Sequence, residues 1–423
     1  MNRDVWRITG GQSLEGRVSP SGSKNGCLPT LAATLLIDGE TTLQNVPDIS
    51  DVRTMIEILR ALGLAVDDLG ESRVRITNLG LHLNEELDDL VRRMRASHYV
   101  LGPMALKLGH ADIPMPGGCE LGMRPVDHFL AVLDALGARS RLDEDRINVD
   151  ADRFIGDLVR LDGTYLNPGA TFTAVMIGAL AEGETIVENA SSEPDVVSFC
   201  DFLTAAGASI EWLEDSTLKV MGVSRLEGTT HRVNSDRLEA GTFLCAAAAT
   251  GGDVVVDGFT VAELGSIAEQ ATKAGVELHD EGGEVRVHGR KRPRPIHLVT
   301  RPYPGFPTDL QPPLAAVLAQ ADGESTIEES IYDGRLQYIE DLNKMGAQMR
   351  RLDSRRAVIA GVEMLHGAEV EGKNIRDGAA LIVAALSAEG ESTVSGCTRY
   401  VSRGYENLDE KLRSLGAQIA STG

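Results

Sequence analysis

A chain of 423 residues with 42% apolar and 25% charged side chains has globular composition, and its length favours two or three domains over one. A formal charge of -22 argues against non-specific nucleic-acid binding, which needs a basic face, and admits an anionic small substrate only where Arg and Lys cluster locally. Residues 1–22 alternate in charge, and no later stretch reaches about 18 uninterrupted apolar residues. Neither a signal peptide nor a membrane span is therefore expected, and cytoplasmic location is the default. The five cysteines (Cys27, Cys119, Cys200, Cys245, Cys397) are odd in number and include no CxxC pair, which disfavours a disulfide framework or a structural zinc site.

Taken in chain order, one pattern recurs. A helix of small apolar residues is followed by a strand, a loop, and a second helix that ends at a glycine, after which a strand resumes. The terminating glycines are Gly63, Gly137, Gly207, Gly275, Gly346 and Gly416, spaced 74, 70, 68, 71 and 70 residues apart. Each repeat is read as helix, strand, helix, strand. The first helix of each (31–36, 100–106, 173–180, 242–249, 314–318 and 379–386) is apolar on all sides and must be buried.

Those helices begin with Ser23-Lys24-Asn25, Arg95-Ala96-Ser97, Asn167-Pro168-Gly169-Ala170-Thr171, Asp236-Arg237-Leu238-Glu239, Thr308-Asp309-Leu310-Gln311 and Asn374-Ile375-Arg376. Ser, Thr, Asp and Asn there read as ordinary caps. Lys24, Arg95 and Arg376 oppose the helix dipole, which points instead to ligand contacts, and free N–H groups at such ends suit phosphate. Three repeats per domain place one domain at residues 23–231 and the other at 1–22 with 232–423, and the strand expected over residues 6–18 then joins the second. The loop Pro116-Gly117-Gly118-Cys119-Glu120-Leu121-Gly122-Met123-Arg124-Pro125 exposes a thiol beside an arginine able to favour the thiolate; the alternative is an unremarkable loop cysteine. Cys27, Cys200 and Cys245, set among apolar residues, read as core.

Ser23-Lys24-Asn25, Met94-Arg95-Ala96-Ser97, the Cys119 loop through Asp127, Asn234-Ser235-Asp236-Arg237-Leu238-Glu239, Phe306-Pro307-Thr308-Asp309-Leu310-Gln311 and Arg403-Gly404-Tyr405-Glu406 together resemble the UDP-N-acetylglucosamine 1-carboxyvinyltransferases of the enolpyruvyl transferase family. The resemblance runs from about Trp6 to Ala417. It implies an α/β fold of two inside-out α/β barrel domains, six repeated units of about 70 residues. It also implies transfer of the carboxyvinyl group of phosphoenolpyruvate to the 3′-hydroxyl of UDP-N-acetylglucosamine, the first committed step of peptidoglycan precursor synthesis, with no metal or organic cofactor.

In that reading Cys119 is the acid, able to carry a pyruvate adduct and to be alkylated by fosfomycin. Asp309 is the base, and Lys24, Arg124 and Arg403 hold phosphate and carboxylate. Asn25, Arg95, Pro125, Val126, Asp127, His128, Phe129, Tyr165, Leu166, Asn167, Pro168, Ile331 and Arg376 contact substrate. The chain departs from the family pattern at Asn374, where an aspartate is usual, at the residues before Gly169-Ala170-Thr171, and at Ser402. These departures leave open a paralogue acting on another nucleotide or nucleotide sugar, or a silent binding relative.

Overall fold

A helix that ends on glycine does so because the next residue must turn left-handed, and all six predicted glycines adopt that conformation, with φ from +91° to +103°. The computed structural model describes residues 4–82, 84, 86–117, 126–161, 167–214, 216–290 and 292–421. These divide into two compact units. One holds residues 22–117 and 126–234, the other residues 4–21 and 235–421. The first unit runs on past the expected boundary at residue 231, because Thr230–Arg232 pairs in parallel with Ile37–Gln44 and the Val233 N–H donates to the Gln44 carbonyl.

Among the described residues there are six sheets, three in each unit. In the first unit Ile37–Gln44 pairs antiparallel with Arg73–Asn78, which returns along Ala65–Gly70, while Leu226–Glu227 and Thr230–Arg232 run parallel on the other edge. The other two sheets centre on His110–Pro114 with Arg146–Asp150 and Arg139–Asp143, and on Glu184–Glu188 with Leu158–Arg160, Leu218–Met221 and Ser209–Trp212. The second unit repeats this order around Asp253–Asp257, Glu324–Glu328 and Glu391–Ser395.

Two expectations about strands need correcting. The single strand expected after each terminating glycine is a hairpin after five of the six; after Gly416 it is the single strand Gln418–Ser421, which pairs with Val5–Thr9. The turn between Ala65–Gly70 and Arg73–Asn78 places Glu71 and Ser72 at φ +53° and +54° without the Asn-Gly or Asp-Gly pair that marks such turns in a sequence. The strand expected over residues 6–18 is two strands in two sheets. Val5–Thr9 lies between Glu391–Ser395 and Gln418–Ser421, and Glu15–Val18 pairs in parallel with Asp253–Asp257. The break falls at Gly10, where a Cβ would sit 2.2 Å from the Ala385 carbonyl oxygen, and at Gly11, with φ +81°.

Each unit has its own apolar core, built on the expected apolar helices: Lys24–Ala33, Leu101–Leu108 and Pro168–Gly178 in one, Arg237–Thr250, Gln311–Leu318 and Ile375–Ser387 in the other; Leu101–Leu108 is buried only as far as Ala105, and its last turn exposes Lys107 and Leu108. Cys27, Cys200, Cys245 and Cys397 are buried free thiols, as expected of the first three, and burial pushes Cys200 and Cys245 up to about 12. No helix among the described residues is long and apolar enough to cross a membrane.

In the second unit the segment ending at Ser21 is held by buried charge. Glu239, 2% exposed, accepts from Lys411 Nζ at 2.6 Å and from the Ser21 N–H at 2.8 Å, and Lys411 also donates to Ser21 Oγ. Burial pushes the Glu239 carboxyl from 4.5 up to about 7 against the pull of Lys411. Between those values the folded state binds more protons than the unfolded one, so this contribution to stability is complete below 4.5 and lost as pH rises through about 7. In urea unfolding from about pH 5 to about pH 8, Glu239→Gln should therefore gain on wild type as pH rises. At Gly416 no atom stands within 4 Å of an added Cβ, so Gly416→Ala isolates the backbone cost and should lower stability by about 1 kcal/mol.

Candidate active site

Helices apolar on every side leave only their ends for chemistry. Four of the six carry side-chain caps: Ser23 accepts from the Gly26 N–H, Asn167 from Gly169 and Ala170, Asp236 from Leu238 and Glu239, and Asn374 from Arg376 and Asp377. The other two open through 3-10 turns with no side-chain cap, Arg95–Val100 and Thr308–Leu310. Asp309 stands in the second of these turns.

In the second unit Asp309 is gripped from both sides. Arg335 Nη2 donates to Oδ1, and Arg376 Nη2 donates to Oδ2 at 3.0 Å. The two arginine side chains are 1% and 7% exposed, against 27% for Asp309, so the carboxylate is the accessible member of the cluster. Arg376 Nη1 donates to Tyr405 Oη at 2.9 Å, and that hydroxyl meets Thr242 Oγ1, also at 2.9 Å. Burial opposes the Arg376 charge, but Asp309 and Tyr405 outweigh it and hold the guanidinium protonated.

Behind the same turn, buried Glu329 accepts from Thr308 Oγ1 at 2.9 Å and from the N–H groups of Ile331 and Tyr332 at 2.8 and 3.1 Å, which ties Ile331 to Thr308, the residue before Asp309. Arg403 ends the 3-10 turn Val401–Arg403, half-buried and two residues before Tyr405. The structure thus brings together Asp309, Arg376 and Ile331 of the predicted set and sets Arg403 on a neighbouring turn.

In the first unit Lys24 opens its helix and pairs with Asp51, Nζ to Oδ2 2.6 Å, the two side chains being 14% and 6% exposed. Asp51 lies in the first turn of Ser50–Ala61, so the cation that opposes one helix dipole is matched by a buried anion. Asn25 is exposed beside it, and Arg95 is half-buried. The Arg95 carbonyl accepts from His98 Nδ1 at 2.8 Å, which puts the ring proton on Nδ1, and burial drives the ring down to about 3, keeping it neutral.

The His98 ring lies 3.8 Å, centroid to centroid, from Phe129. A Cβ on Gly169 would come within 2.7 Å of the same Phe129 ring. Phe129 therefore packs the starts of Arg95–Val100, Asp127–Ala135 and Pro168–Gly178 against one another, and it is only 8% exposed. Val126 is buried, Asp127 exposed, and His128, Asn167 and Pro168 are half-buried. Cys119, Arg124, Pro125, Tyr165 and Leu166 lie outside the described residues. Sequence reasoning missed Arg335, Asp51, Glu329 and Tyr405. Only Tyr405 stood inside a motif, Arg403-Gly404-Tyr405-Glu406.

The family profile of EPSP synthase (3-phosphoshikimate 1-carboxyvinyltransferase) matches residues 8–412. A UDP-N-acetylglucosamine 1-carboxyvinyltransferase of Symbiobacterium thermophilum is 43% identical over 414 residues, covering 98% of this chain and 97% of its own. Another from Caldanaerobacter subterraneus subsp. tengcongensis is 41% identical over 97% of this chain and 98% of its own. Among solved structures the enolpyruvyl transferase NikO from Streptomyces tendae superposes with a TM-score of 0.88 at 26% identity, covering 99% of each chain. EPSP synthase from Acinetobacter baumannii, at 19% identity and a TM-score of 0.72 over 99% of this chain and 100% of its own, shares the fold. The chain thus belongs to the EPSP synthase family of carboxyvinyltransferases, in the branch of the UDP-N-acetylglucosamine 1-carboxyvinyltransferases. It is a transferase with an α/β fold.

Lys24→Met leaves the nearly buried Asp51 without this cation, and a loss of about 2 kcal/mol is expected in urea unfolding. Most of that loss should return in Lys24→Met/Asp51→Asn; additive losses would show that the pair is not coupled.

Proposed function

We propose that the chain transfers the carboxyvinyl group of phosphoenolpyruvate to the 3′-hydroxyl of UDP-N-acetylglucosamine and releases phosphate, the first committed step of peptidoglycan precursor synthesis. The observation that carries this reading is 43% identity over 98% of the chain to a protein bearing that activity as its name. An acceptor of another kind is not favoured, since relatives about 40% identical over nearly the whole chain bear the same name. The two compact units are then the family's inside-out α/β barrels, three repeats each, in a cytoplasmic enzyme.

The chemistry assigns the parts. Phosphoenolpyruvate becomes electrophilic at C2 once C3 is protonated, and Cys119 supplies that proton. The acceptor oxygen then bonds to C2 while its proton passes to Asp309. Loss of a C3 proton and of the phosphate restores the double bond and completes the transfer. Arg335 and Arg376 fix the direction in which Asp309 points, so its proton-accepting oxygen need not be oriented at the moment of reaction.

Lys24, Arg124 and Arg403 neutralise phosphate and carboxylate. Asn25, Arg95, residues 125–129, residues 165–168, Ile331 and Arg376 serve substrate binding. Within this set Asn167 spends its side-chain oxygen on capping, as Asn374 does outside it, and Phe129 acts through the packing of three helix starts. An amide at Asn374 caps its helix as an aspartate would, so that departure removes a negative charge without removing the cap.

Purified protein should release phosphate from phosphoenolpyruvate only when UDP-N-acetylglucosamine is present. Asp309→Asn should cost on the order of a hundredfold or more in kcat. Cys119→Ala should abolish both turnover and the mass shift produced by fosfomycin. Release with a different nucleotide sugar alone would overturn the acceptor, and release with none would overturn the reaction.

A further inference from the structure

Asp377 has no part in the chemistry above, yet it is 2% exposed and carries a carboxylate. It follows Arg376 in the first turn of Ile375–Ser387, and its N–H is capped by Asn374 Oδ1 at 3.0 Å. Its Oδ1 is buried and has no hydrogen-bond partner among the described residues. The same is true of Arg335 Nε, on the guanidinium whose Nη2 holds Asp309. A buried acceptor and a buried donor of opposite charge are thus both unsatisfied, and the Arg335 charge acts on the Asp377 carboxyl.

Burial pushes the Asp377 carboxyl up to about 6. Arg335, Asn374 and Lys373 lower it and Asp341 raises it, and the buried Tyr338 hydroxyl also feels the Asp377 charge. Neighbouring Glu329 differs in that both its oxygens already accept, from Thr308 on one side and from Ile331 and Tyr332 on the other.

The transfer reaction creates a need for this carboxylate. When Asp309 takes the acceptor's proton it becomes neutral, and Arg335 and Arg376, two buried cations, lose the anion that both were gripping. Resting on the proposed reaction, we propose that Asp377 is a positioning residue that takes hold of Arg335 as Asp309 releases it. Movement of the Arg335 fork from Asp309 to Asp377 satisfies both orphaned atoms and keeps the buried guanidinium paired with an anion while Asp309 carries the proton. Asp377 touches no substrate in this scheme and acts only through Arg335.

The test compares wild type with the near-isosteric Asp377→Asn, using phosphoenolpyruvate and UDP-N-acetylglucosamine. The variant's kcat should fall on the order of tenfold while both KM values stay within about twofold. The wild-type kcat should decline below about pH 6, where Asp377 protonates, and the variant's should lose that limb. A folded variant with wild-type kcat and the same acid limb would overturn the inference while leaving the reaction intact. Arg335→Lys, which keeps charge but lacks the fork, should show a similar loss, and Asp377→Asn added to it should cost nothing further; additive losses would overturn the coupling. If wild type releases no phosphate, the reaction has failed. The inference is then judged by the infrared difference between wild type and Asp377→Asn, in which the Glu239 band common to both cancels: a protonated-carboxyl difference band present near pH 5 and gone near pH 8 supports it, and absence of that band overturns it.

Discussion

Helices with no polar side must meet water and ligands at their ends, and the rest of this molecule follows from that constraint. Every residue along the flanks of Pro168–Gly178 and Arg237–Thr250 faces core, so charge can enter only through the first turn. There the backbone offers unpaired N–H groups and a positive potential, which anionic groups find favourable. Cations placed at such ends are costly unless matched, and two of them have an anion: Lys24 pairs with Asp51 and Arg376 with Asp309. The anions that make the cations tolerable are what turn structural ends into reactive ones.

Asp309 gains most from this arrangement. A carboxylate with one guanidinium on each oxygen has a fixed plane and a fixed direction. Tyr405 and Thr242 continue the network into the core, so Arg376 is itself held and passes its rigidity to Asp309. The uncapped 3-10 turn that carries Asp309 is the local irregularity that lets its side chain face outward while its neighbour Leu310 stays fully buried.

Much of this was legible beforehand because it rests on backbone requirements. The six left-handed glycines and the apolar helices leave periodic marks that no surface substitution hides. The caps Ser23, Asn167, Asp236 and Asn374 were readable for the same reason. Hairpins such as the one through Glu71-Ser72 were not, since their turns use residues that carry no turn signature. Arg335 was invisible because it lies between strand and helix with no cap or period to mark it, and its partner Asp309 is 26 residues away in the chain. Asp377 carries no signal either, because an acid in the first turn of a helix already has an ordinary place there.

The pairing of Val5–Thr9 with Glu391–Ser395 and Gln418–Ser421 has a consequence for biogenesis. On a ribosome this strand emerges before residues 22–234, and its partners emerge after them. Residues 22–234 are contiguous and can close their own core while translation continues, but the strand before them must wait with both edges open until residues 391–421 have been made. It is five residues long, and Arg7 at its middle is exposed, features that discourage pairing with foreign strands during that wait.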